Sequence, residues 1–158
     1  MLVAFTKLVE QRVSTWTALR GKRTVVPGST MALGRGDLPH DLVQLVVEAT
    51  LGVTHGFWGC VEAGGTFRSM RRRRTKPGRA VIALHRDELV AGEHLVNAHA
   101  DRWRAGRPTP VGSTLDRFGA LWNALGDGDT MTVHWPSLRT LEPVHGCDTA
   151  LGAAHRRA

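Results

Sequence analysis

Residues 2–9 (Leu-Val-Ala-Phe-Thr-Lys-Leu-Val) and 11–19 (Gln-Arg-Val-Ser-Thr-Trp-Thr-Ala-Leu) are rich in β-branched and aromatic types. The second run alternates, with Val13, Thr15, Thr17 and Leu19 on one face, the pattern of a half-buried strand. Gly21 parts it from a third run at 22–26, which Pro27-Gly28 ends. These runs predict two or three antiparallel strands. A helix is predicted over 38–50, with Asp37 as N-cap, Pro39 in the first turn and Gly52 as C-terminal stop. Its interior, Leu42-Val43-Gln44-Leu45-Val46-Val47, is apolar nearly all round, so it is expected to be buried on most sides.

Beyond that helix the periodicity is less regular. His55-Gly56-Phe57-Trp58-Gly59 is an aromatic pair bracketed by glycines, placed to tuck back on the helix. Residues 68–79, which contain Pro77-Gly78, read as a loop or a frayed extension. Residues 80–104 read as one long helix or two pieces, with Gly92 as a possible interruption. After a Pro-containing linker, Ser113-Thr114-Leu115-Asp116 has the form of a capping box opening a helix that carries Leu115, Phe118, Leu121, Trp122 and Leu125. Gly126-Asp127-Gly128-Asp129 is a turn, and 130–135 alternate as a late strand. The fold class expected is α+β: an N-terminal antiparallel hairpin or small sheet, a buried central helix, two or three further helices and a C-terminal strand that rejoins the sheet.

The chain has 158 residues, of which 42% are hydrophobic, enough for one cored domain, expected over 1–148 with a loose tail at 149–158. No apolar run approaches the roughly 20 residues of a membrane span. Lys7, Glu10 and Arg12 interrupt what would be the apolar core of a signal peptide, and Cys60 and Cys147 lack any CxxC spacing. A cytoplasmic location and no membrane association are therefore expected.

Charge changes the picture more than composition does. The net charge is +7, from 21 basic and 14 acidic residues. Seven of the basic residues, Arg68, Arg71, Arg72, Arg73, Arg74, Lys76 and Arg79, fall within twelve positions that hold no acid. The remaining chain is balanced, with 14 basic and 14 acidic residues. Arginine outnumbers lysine 18 to 3, so the choice of arginine carries little weight, whereas a run of four without an acid carries more. With Trp58 and Phe67 upstream, the segment suits phosphate contact and base stacking. No Walker loop, helix-turn-helix or zinc finger accompanies it. The function expected is a non-catalytic domain that binds a polyanion, nucleic acid foremost, through these seven residues, with no cofactor.

A rival reading uses the central helix. His40, Gln44 and Glu48 are spaced i, i+4, i+8 on one face, with Asp41 beside them, which is how a helix presents metal ligands or an acid/base pair. It predicts a divalent-metal hydrolase with His40, Asp41 and Glu48 as catalytic residues. Its metal ligands would be His40 and Glu48 with His94 or His99 from the later helix. On that helix Glu93, Asn97 and Asp101 share a face, whereas His94 and His99 diverge, and Glu88 stands nearer its start. Cys60 near His55, with Glu62 to orient it, is a weaker nucleophile arrangement. A third reading is a scaffold or oligomerisation domain with an exposed apolar patch at Phe57, Trp58 or Trp122.

Leu38-Pro39-His40-Asp41-Leu42-Val43, then Val47-Glu48 and Gly56-Phe57-Trp58-Gly59, resembles a core segment of small uncharacterised actinobacterial proteins. In that pattern His stands where this chain has Gln44. The resemblance spans residues 38–59 and implies a bacterial, intracellular protein, with no function to transfer.

Overall fold

A computed structural model describes residues 1–9, 13–21, 24–31, 38–68, 70 and 75–146. Three N-terminal strands, β1 (Leu2–Leu8), β2 (Val13–Arg20) and β3 (Thr24–Met31), form an antiparallel meander. The late strand β4 (Thr130–His134) pairs antiparallel with β1, and a short β5 (Arg139–Thr140) pairs with β4. The sheet order is β3-β2-β1-β4-β5. The α+β expectation, including the late strand rejoining the sheet, is what the molecule has.

Alternation puts one face of this sheet into the core. Register aligns Met131, Phe5, Trp16 and Gly28 in one row and Val133, Val3, Ala18 and Val26 in the next, and all eight are buried. The first row needs a glycine at its end. A side chain at position 28 would collide with the Trp16 indole, so Gly28 gives the ring its place.

Five helices follow: α1 (His40–Leu51), α2 (Phe57–Glu62), α3 (Lys76–Leu84), α4 (Arg86–Arg104) and α5 (Gly112–Asn123). α1 is buried continuously from Leu42 to Glu48 and packs against β3, α2, α4 and α5. Gly52 ends it at φ 69°, a left-handed conformation that glycine adopts without strain. No helix among the described residues is long and apolar enough to cross a membrane.

Several boundaries differ from the sequence reading. Pro39 is the N-cap of α1 and contributes no side-chain cap; Asp37 lies outside the described residues. The Gly-bracketed aromatic pair opens a helix of its own, α2. The second part of the basic segment is helical as well. Thr75 Oγ1 accepts the Gly78 N–H at 3.1 Å and starts α3, with Pro77 in the first turn where its missing N–H costs nothing. The 80–104 stretch breaks at His85, while Gly92 lies unbroken inside α4. Ser113 sits inside α5, whose cap is Val111 with no side-chain bond. Four helices beyond α1, not two or three, complete the described fold.

An aromatic cluster lies in the core. Trp58 meets Trp16 at 4.9 Å and Phe5 at 5.8 Å in edge-to-face geometry, and Phe57 meets Trp58 at 5.1 Å. Such pairs contribute about 0.5–1.5 kcal/mol each beyond their buried area. Both indole N–H groups end on one residue: Trp16 Nε1 donates to Asp41 Oδ2 at 2.7 Å and Trp58 Nε1 to the Asp41 carbonyl at 2.9 Å. Phe57, Trp58 and Trp122 are all buried, so the apolar patch expected of a scaffold is core instead.

Candidate functional site

The polar face of α1 runs from a half-exposed start to a sealed interior. His40 Nδ1 donates to Asp41 Oδ1 at 3.3 Å, and the Asp41 carboxylate holds the imidazole above its usual value against the opposing pull of burial. One turn on, the buried Gln44 amide donates from Nε2 to Glu48 Oε1 at 3.0 Å and to Glu93 Oε1 of α4 at 2.9 Å. Glu48 is 0% exposed, and its oxygens divide between two backbone donors. Oε1 accepts the Phe57 N–H at 2.8 Å and Oε2 the Trp58 N–H at 3.0 Å.

Those two N–H groups are the first of α2, which has Gly56 at its N-cap and no side chain there to bond them. A carboxylate from another helix therefore does the capping, and its charge suits the positive end of the helix dipole. The approach is close enough that a side-chain carbon on Gly56 would lie 2.5 Å from Glu48 Oε1. Burial pushes the Glu48 carboxyl up to about 7, while the Trp58 and Phe57 N–H groups and the Gln44 amide pull it down.

This geometry separates the residues grouped by the metal reading. His40 and Glu48 lie eight residues apart on α1, about 12 Å along its axis at 1.5 Å per residue, one near the surface and the other enclosed. His94 is exposed, and His99 shares a 2.7 Å hydrogen bond with Thr109 Oγ1. No cluster of three such ligands containing His40, Glu48, His94 or His99 forms among the described residues. The expected solvated face of α4 holds for Asn97 and Asp101, which are exposed, whereas Glu93 turns inward to Gln44. Cys60 is no nucleophile: it is buried, burial pushes its thiol up to about 11, and Sγ faces the His55 carbonyl at 3.6 Å.

The basic segment is anchored at both ends. The Thr66 N–H donates to the Gly78 carbonyl at 3.3 Å, and Gly78 packs on the Thr66 side chain with no room for one of its own. Met70 is 5% exposed and belongs to the core. Arg68, Lys76 and Arg79 are exposed, and neither Arg68 nor Lys76 is ion-paired within the described residues. Arg71, Arg72, Arg73 and Arg74 lie outside the described residues. The aromatics upstream are not a stacking platform. Trp58 is 0% exposed, and Phe67 packs on Phe57 at 4.5 Å.

Sequence reading missed one convergence. His55, His85 and Glu88 come together from the α1–α2 connection, the α3–α4 junction and the first turn of α4. Half of it was visible as His85-x-x-Glu88, a spacing that shares one helix face; His55 is thirty positions from His85. No family model, curated protein or solved structure matches this chain.

Proposed function

We propose that this protein binds a polyanion, nucleic acid foremost, through residues 68–79, in the cytoplasm. Recognition would rest on charge neutralisation with little reading of bases. The observation that carries it is the charge segregation: seven cations and no acid in twelve positions of an otherwise balanced chain. Its ends being tied at Thr66–Gly78 and Met70 supports this, because a closed, anchored base loses less freedom on binding. Burial of Trp58 and the packing of Phe67 favour contact with phosphates over base stacking. The rival hydrolase has less support, since Glu48 spends both oxygens on α2.

Titration of nuclease-treated protein with a labelled duplex across a salt series tests the proposal. If all seven charges meet phosphates, the log–log slope approaches about −6. Replacing Arg71, Arg72, Arg73 and Arg74 by Ala should reduce the slope by about 3–4 and remove most binding, with the melting temperature nearly unchanged. No binding at physiological salt, or a quadruple variant that binds as before, overturns it.

A further inference from the structure

The residues of α4 that face the α1–α2 connection are spaced i, i+3 and i+7: His85 just before the helix, Glu88 and Gly92. Gly92 presents no side chain, and the Cβ position there lies 3.6 Å from Gly56 Cα and 3.7 Å from Val53 Cγ1. The connection thus rests directly on α4, one turn beyond Glu88. Its own path is held as well. Gly59 packs against the Thr54 carbonyl with no space for a side chain, and Cys60 Sγ donates to the His55 carbonyl. His55 is therefore placed over Glu88 by backbone packing, and its side chain is left half exposed.

The two imidazoles aim at one oxygen. His85 Nδ1 lies 3.5 Å and His55 Nδ1 3.7 Å from Glu88 Oε1, with His85 mostly covered and the other two about half exposed. The donor atoms of the three residues all fall within 4.8 Å of one another. The rings stack at 4.1 Å with 17° between their planes.

We infer that His55, His85 and Glu88 form a binding site for a divalent transition-metal ion of the zinc class. Two imidazoles and a carboxylate are the donor set of borderline ions such as Zn²⁺ and Co²⁺, whereas Mg²⁺ and Ca²⁺ prefer all-oxygen surroundings. Bonds of about 2.0–2.1 Å in a tetrahedron place donor atoms about 3.3–3.4 Å apart. The two distances to Glu88 are already near this, and rotation of the half-exposed His55 ring, away from its stacked position, brings the third donor in. Three protein ligands leave a fourth position for water on the solvent side. The site lies at the C-terminal end of α3, about 9 Å along the helix axis from Arg79, the last residue of the basic segment. It stands independently of nucleic-acid binding.

Tag-free, chelator-treated protein is titrated with Co²⁺, read by its visible ligand-field absorption, and with Zn²⁺ by calorimetry. One ion per chain is expected, bound at least roughly tenfold more weakly in His55→Ala, His85→Ala and Glu88→Gln. Glu88→Gln is exposed and conservative, so it keeps the test valid if a histidine variant folds poorly, and circular dichroism verifies the fold of each. Absence of stoichiometric binding, or binding unchanged in Glu88→Gln and His55→Ala, overturns the inference.

Discussion

Glu48 and Glu88 are the same side chain on two helices that flank the α1–α2 connection, and their surroundings differ in each respect that governs chemistry. Glu48 is sealed in the core and surrounded by N–H donors, two from the start of α2 and one from Gln44. Glu88 is half exposed and faces two histidine rings. Burial pushes the first carboxyl up to about 7, whereas hydrogen bonds from its own backbone N–H and from His85 hold the second below its usual value. The comparison teaches that a perturbed carboxyl is not by itself a reactive one. Glu48 is perturbed because it is enclosed, and its lone pairs are already committed. Glu88 keeps an oxygen directed at groups that can share a ligand with it.

The largest way to break this contrast is Glu48→Ala. It leaves the Phe57 and Trp58 N–H groups and one Gln44 donor buried without an acceptor, so stability should fall by roughly 3–5 kcal/mol in denaturant unfolding. A loss under about 1 kcal/mol would end the capping account.

Next in size is the pH dependence. A carboxyl raised from 4.5 to about 7 holds its proton more tightly in the folded state than in the unfolded chain. Its effect is to stabilise at low pH and to withdraw that stability as pH rises through the 4.5–7 window. The fall is on the order of 3 kcal/mol at most. His40, raised by Asp41, adds a smaller fall in the same direction near neutrality. Denaturation curves of wild type and Glu48→Gln separate the two, because the amide does not titrate and only the Glu48 part should vanish. Gln44→Leu sharpens the result: losing a donor that lowers the Glu48 value should move the fall to higher pH.

The smallest expected effect is at the other glutamate. Glu88→Gln, without metal, should change stability by no more than about 0.5 kcal/mol, as exposed substitutions do. Measured beside Glu48→Ala, it shows whether enclosure or charge sets the difference. A Glu88 loss comparable to that of Glu48 would mean that its histidine contacts are structural.

Much of the fold was legible because it follows local periodicity. The alternation in 130–135 and the all-round apolar run of 42–47 each state which faces must leave water, and β4 and α1 obey them. In β2 the period holds, but Ser14, Trp16 and Ala18 are the buried side, opposite the face of Thr15, Thr17 and Leu19 that the sequence singled out. The cap positions were less legible. Asp37, Ser113 and the start of α3 depend on how chain segments enter a helix, and Thr75 capped a turn that Pro77-Gly78 made look like a loop. The stripe His40, Gln44, Glu48 was correctly placed on one helix face, yet its chemistry was not readable from that spacing. The donors that occupy Glu48 come from Phe57 and Trp58, nine and ten positions away across a turn.

The sequence by itself determined the α+β class, the buried central helix and the concentration of positive charge in residues 68–79, since each depends on residue type and spacing along the chain. Only the tertiary structure decided that Glu48 caps α2, that Gln44 links α1 to α4, and that His55 meets His85 and Glu88. Hydrogen-bond partners and converging donors are set by how close two backbones can come. Here that approach depends on Gly92 packing on Gly56, Gly56 on the Glu48 carboxylate and Gly59 on the Thr54 carbonyl, which no periodicity along the chain encodes.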